Sequence, residues 1–108
     1  MEDSKLEKIE GLYRQYDFMK IISKYWSNHS EYDSEALDLA LKLHRYDSVA
    51  SIQQKVWDIF YNFFCVSFSY RKRPRIVRKD NKEEAIKRIG DLDKYLEFSQ
   101  KIKEVLDE

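Results

Sequence analysis

Residues that interrupt regular structure are scarce in this sequence, which has two glycines and one proline among 108 residues. β-Sandwiches and barrels need many glycine- and proline-rich turns, so this scarcity favours a helical chain. A single cysteine, Cys65, excludes an internal disulfide, and no signal-like apolar stretch occurs at the start. These two features predict a cytoplasmic location. The longest uncharged run, Ile59 to Tyr70, has twelve residues, too few to span a membrane.

Motifs of catalytic or metal sites are missing as well. The two glycines lie 79 positions apart, which excludes a glycine-rich phosphate loop, and neither H-E-x-x-H nor a serine elbow occurs. The soft metal ligands are His29, His44 and Cys65, whose spacing matches no zinc pattern. The Arg-to-His spacing of HEPN nucleases is also absent. We therefore predict that the protein is not an enzyme and has no metal and no cofactor.

Apolar residues recur at steps of three and four along most of the chain, which indicates helices. The pattern predicts helices at about 5–27, 34–45, 48–70 and 81–107. We expect an all-α fold, a single helical domain over 1–108 that forms a four-helix, mostly antiparallel bundle. The second helix is expected to bury Leu37, Ala40, Leu41 and His44. Gly90 could end a short helix, but the apolar period continues through it, which favours one long, bent fourth helix.

The third predicted helix is rich in aromatic residues, and its second half is apolar nearly all round. Such a helix is either central in a bundle or covered by a partner. A strand is the competing interpretation for residues 63–70, because aromatics and valine favour sheets. We favour the helix, since no second strand is evident to pair with it. The candidate interface residues are Phe64, Phe68 and, on the first helix, Trp26.

A cationic segment follows directly, with six basic residues and no acid in 71–79. Outside it the chain has fourteen basic and twenty acidic residues, so the positive charge is local. Pro74 prevents a regular helix here and predicts a connector. The cations could neutralise phosphates, and Tyr70 could stack an unpaired base. The candidate nucleic-acid-binding residues are Tyr70, Arg71, Lys72, Arg73, Arg75, Arg78 and Lys79. An acidic protein partner or a solvated loop are the alternatives.

The small size, the helical character and the patch from Tyr70 to Arg78 resemble the small helical subunits of archaeal CRISPR effector complexes. That resemblance implies a subunit in antiviral defence that contacts a single DNA or RNA strand. It also implies several copies side by side within a larger complex, with no membrane association. The alternative is a protein-interaction module, such as a phage or viral inhibitor, that docks through the aromatic half of the third helix.

Overall fold

The computed structural model describes residues 3–18, 32–69 and 71–108, most of which are helical. The elements are α1 (Asp3–Tyr16), α2 (Asp33–Lys42), α3 (Val49–Phe64), β1 (Val66–Ser69), β2 (Arg75–Lys79), α4 (Lys82–Ile89), a 3₁₀ turn (Leu92–Tyr95) and α5 (Leu96–Asp107). The prediction of a mostly helical chain is confirmed. The prediction of a purely all-α, four-helix fold is wrong in detail, because two strands form a small sheet and the last predicted helix is divided.

The first helix is shorter than predicted and ends at Tyr16. Asp17 adopts a positive φ of 43°, a left-handed conformation that does not continue an α-helix. The Asp17 N–H still donates to the Tyr13 carbonyl, and its carboxylate accepts a hydrogen bond from the Tyr32 hydroxyl. Phe18 then packs against the core. The rest of the predicted helix, residues 19–27, lies outside the described residues.

The third helix also ends early, at Phe64, and residues 66–69 form a strand instead of its last turn. The missing partner strand is supplied by the basic segment itself, because Arg75–Lys79 pairs antiparallel with Val66–Ser69. Val66 and Phe68 favour strands, and the pairing with β2 allows residues 66–69 to form one. The predicted helix over 48–70 is therefore wrong beyond Phe64, and the predicted connector is a β-hairpin.

The fourth predicted helix is interrupted at Gly90, which has a φ of 87°. Asn81 begins α4 with a capping box, in which its side chain accepts from the Glu84 N–H at 2.8 Å and the Glu84 carboxylate accepts from the Asn81 N–H. Gly90 ends that helix because glycine adopts positive φ without steric cost. Two helices joined by a 3₁₀ turn thus replace the single long helix.

The core is built around α3, which packs against α2, α4 and α5, while α1 packs against α2 and α5. Its centre is a cluster of fully buried aromatic rings, with Tyr13 and Phe98 at 4.9 Å and Phe60 and Tyr95 at 5.3 Å between ring centroids. Edge-to-face and stacked rings add stability beyond the area they bury. This packing makes α3 the central helix. The β1–β2 hairpin follows directly after its C-terminal end.

Two residues of α2 that were expected to be inside are exposed, Leu37 by 50% and Leu41 by 77%. The helix buries the predicted Ala40 together with Glu35, Ala36 and Leu39. The prediction for this helix face is therefore confirmed for Ala40 and wrong for Leu37, Leu41 and the exposed His44, and the helix itself is confirmed.

Candidate nucleic-acid interface

The hairpin made by β1 and β2 has two chemically different faces. Its strand pairs place Phe68 beside Ile76 and Ser69 beside Arg75. Paired residues of an antiparallel ribbon project to the same face, and neighbours along a strand project to opposite faces. The ribbon therefore has one face with the apolar Phe68–Ile76 pair and another with the Ser69–Arg75 pair. A β-bulge lies between the Ser67–Arg78 pair and the Phe68–Ile76 pair. Val77 is the extra residue in this bulge and has no partner on β1.

The base of the hairpin is attached to the helical body through Asp80. Its carboxylate is almost completely buried and accepts a hydrogen bond from the Arg88 Nε at 2.9 Å. The Arg78 guanidinium lies 3.7 Å from the same carboxylate and donates to the Phe64 carbonyl at 3.1 Å. The Tyr61 hydroxyl donates to the Asp80 carbonyl at 2.7 Å. Contacts from α3, β2 and α4 thus converge on this residue and fix the direction of the hairpin.

The tip of the hairpin encloses a hollow of about 410 Å³. It is lined by Ser69 and four cationic side chains, those of Arg71, Lys72, Arg73 and Arg75. Among the residues that the structure describes, no acidic one lines it, and all four cations are exposed. Within the described ranges 3–18, 32–69 and 71–108, no salt bridge to any of these four is present. The hollow therefore concentrates positive charge that is available to an anion.

The other predicted nucleic-acid-binding residues lie elsewhere on the hairpin. Lys79 is exposed and pairs with Val66 at the base. Arg78 is partly exposed, but its guanidinium contacts Asp80 and the Phe64 carbonyl, so it also positions the hairpin. Tyr70 lies outside the described residues, and its predicted stacking on a base stays a prediction.

The predicted interface residues are spread over different environments. Phe64 is half-buried, with its ring 5.8 Å from that of Phe60 at the edge of the core. Phe68 is 49% exposed on the hairpin. Phe63, which the apolar period of the third helix predicts to lie in the core, is 44% exposed at the end of α3. Trp26 lies outside the described residues. Partly exposed apolar side chains therefore lie where α3 ends and the hairpin begins.

Sequence reasoning missed an aromatic groove beside α3. Trp57 and Tyr61 stack there with their ring centroids 5.5 Å apart, and a groove of about 630 Å³ runs between them and the α4–3₁₀ segment. The two residues are four positions apart, a spacing that puts them on one helix face. Nothing local predicts the opposite wall, because it is supplied by residues about thirty positions further along the chain.

Among the described residues near the hairpin, the ionisable groups offer no reactive nucleophile. Burial raises the pKa of the Cys65 thiol, and the nearby Asp80 carboxylate raises it further. A thiol in this state is protonated at neutral pH and inert. In the part of the chain that the structure describes, no group of three or more potential metal ligands is present, and no helix is long and apolar enough to cross a membrane.

Comparison with protein-family models, with curated proteins and with solved structures finds no match to this chain. Its function must therefore be inferred from the chemistry of its own residues.

Proposed function

We propose that this protein is a non-catalytic nucleic-acid-binding subunit that contacts phosphates with the tip of its hairpin. The observation that supports this proposal most directly is the hollow lined by Arg71, Lys72, Arg73 and Arg75, with no acidic side chain among its described lining residues. Phosphate oxygens are the anions that such a cluster binds best, because a guanidinium can donate two parallel hydrogen bonds to them. Contacts of this kind require no particular base sequence.

Single-stranded nucleic acid is the proposed substrate class. The hairpin is a two-stranded ribbon with exposed cations along its length, which suits a flexible backbone that can follow it. Tyr70 would contribute by stacking on an unpaired base, a contact that a duplex does not offer. Membership of a larger nucleoprotein complex, such as a CRISPR effector, is part of the same proposal and rests on the general character of the sequence.

The proposal is tested by fluorescence anisotropy with labelled single-stranded and duplex DNA and RNA at low salt. Replacing Arg71, Arg73 and Arg75 by Gln should lower the affinity by more than about tenfold, because hydrogen bonds to charged groups contribute about 1.5–3 kcal/mol each. A matched control replaces Lys8, Lys42 and Lys101 by Gln. It removes the same charge from exposed helical positions outside the hairpin and should leave the affinity nearly unchanged.

Equal losses in the two triple variants would show that only net charge matters and would contradict a defined site. If the parent binds no nucleic acid at low salt, an acidic protein partner becomes the better explanation for the cations.

A second candidate function, docking of a protein through the aromatic end of α3, is supported by the exposed Phe63 ring. Binding of such a partner would hardly respond to salt, whereas phosphate binding weakens steeply with it.

A further inference from the structure

The groove beside α3 has rigid walls. The Trp57 Nε1–H donates to the Gly90 carbonyl at 2.8 Å, and the Tyr61 hydroxyl donates to the Asp80 carbonyl at 2.7 Å. Both rings are thus held by the backbone of the opposite wall while they stack on each other. A site whose side chains are already fixed loses little conformational entropy when it is filled. The groove is therefore ready to receive a ligand without rearrangement.

The lining of the groove defines what it would accept. Besides the two rings it contains the partly exposed side chains of Ile86 and Leu92, so its floor is largely apolar. Asp91 and Asp93 are exposed at the end formed by the 3₁₀ turn, and Lys82 lies near the hairpin base. An apolar ligand that has a cation at one end would complement this surface, whereas a phosphate would be repelled by the two carboxylates.

The hairpin carries a surface of this composition. On the face with the Phe68–Ile76 pair, the two side chains are 49% and 54% exposed. Lys79 pairs with Val66, two residues before Phe68, so alternation along the strand places Lys79 on that same face. The result is a short apolar ridge with a cation at one end. The hollow at the tip is associated with the Ser69–Arg75 pair, which projects to the opposite face.

We propose that the apolar hairpin face of one copy docks into the groove of a second copy. Apolar surface then meets apolar surface, and Lys79 approaches Asp91 and Asp93. Pairing of two hairpins with each other would instead bring cations of the same sign together, which is unfavourable. The formal net charge of the whole chain is zero, so copies do not repel one another overall.

This contact is heterologous, because each copy offers one ridge and one groove. Such contacts form an open row unless the rotation between copies closes a ring. The face that projects toward the cationic hollow is not used, so the hollows of successive copies would remain available along the row. Association needs no nucleic acid, and it can therefore fail or succeed independently of the proposed function.

Sedimentation velocity without nucleic acid tests the proposal over micromolar to millimolar concentrations, with two variants. The ridge variant carries Phe68→Thr and Ile76→Thr, which keep a strand-favouring pair while removing apolar surface. The groove variant carries Ile86→Gln and Asp93→Lys at exposed positions. Circular dichroism should show parental helix content for both variants.

The parent should form a concentration-dependent series of oligomers, and each variant alone should be monomeric. An equimolar mixture should form a dimer and nothing larger, because the intact ridge of the groove variant meets the intact groove of the ridge variant. The Arg71, Arg73 and Arg75 to Gln variant should still associate like the parent, which separates this contact from nucleic-acid binding.

A parent that stays monomeric at millimolar concentration would overturn the proposal. So would a mixture that stays monomeric although the parent associates, since that result indicates a symmetric contact. Association of either double variant to the parental extent would equally exclude the ridge–groove interface.

Discussion

At the scale of single residues, the described part of the core contains two buried polar side-chain atoms that lack a hydrogen-bond partner. Among the described residues these are the Tyr13 hydroxyl and the Glu35 Oε2. A buried polar group without a partner costs free energy, because it loses its hydrogen bonds to water and gains none in return. Both groups therefore oppose folding locally, and each leads to a test.

Tyr13→Phe should stabilise the protein by about 1 kcal/mol, since it removes the unpaired hydroxyl and keeps the packed ring. Tyr95→Phe is the matched control, because the Tyr95 hydroxyl is buried too but donates to the Ile89 carbonyl. Its removal should destabilise by about 1 kcal/mol and leave that carbonyl without this donor. Urea unfolding measures both changes, and a loss of stability of similar size in both variants would contradict the account.

Glu35 should make stability depend on pH. Its side chain is buried, and burial raises its pKa above the ordinary value of 4.5, aided by the charge of Asp33 and opposed by a backbone hydrogen bond. The protonated form is thus favoured in the folded state. The stability from this shift is fully present below the unfolded pKa and is lost as the pH rises through the folded pKa.

Glu35→Gln should therefore gain stability relative to the parent as the pH rises from 4.5 toward neutrality. The same substitution at the exposed Glu83 provides the control. Thermal or urea unfolding across this pH range checks the expectation. A Glu35→Gln variant whose stability follows that of the parent at every pH would show that the carboxyl is not desolvated.

At the scale of elements, the local sequence pattern predicted which segments are helical better than it predicted where each helix ends. The positions of Phe60, Ile52 and Val56 on one face of α3 follow from the apolar period and are confirmed as buried. The C-terminal end of α3 does not follow from the apolar period. β1 forms by pairing with β2, which lies about ten residues further along the chain, and the sequence of β2 is typical of a solvated basic segment. The sequence allows a helix end at Gly90 as an alternative. The apolar period continues through this position, however, and it favours a single long helix.

The candidate site was predictable in composition and not in shape. The cations of 71–79 are evident in the sequence, whereas the pairing of Arg78 and Arg88 with Asp80 requires the folded chain. The spacing from Asp80 to Glu83 predicts Asp80 as the cap of the fourth helix, but the cap is Asn81, and Asp80 anchors the hairpin. The groove at Trp57 was not predictable, since its two walls come from distant segments.

The two glycines provide a test of the element boundaries. Gly11 lies inside α1, and a methyl group there would meet no atom of the described residues within 4 Å apart from its chain neighbours and the helix's own nearby backbone, so Gly11→Ala should stabilise by about 0.5–1 kcal/mol. Gly90→Ala should destabilise by more than that amount, because its φ of 87° strains any L side chain. Differential scanning calorimetry of both variants is the measurement. A stabilising Gly90→Ala would indicate that the helix continues through this position.

At the scale of the whole molecule, the separation of charge matters more than its sum. The chain is neutral overall, yet it presents four cations around one hollow at the hairpin tip and two carboxylates beside the aromatic groove. A neutral chain gives no long-range attraction to polyanions, so binding must come from local contacts. The central claim is that those contacts are between phosphates and the cations of the hollow.

The salt dependence of single-strand binding tests this claim most directly. Each neutralised phosphate on a single strand contributes roughly 0.7 to the slope of log K against log salt concentration, so the four cations of the hollow predict a slope of about −3. Replacing Arg71, Arg73 and Arg75 by Gln should flatten the slope by about 2. The control variant at Lys8, Lys42 and Lys101 should keep the parental slope. A parental slope near zero, or an unchanged slope in the hairpin variant, would contradict the account.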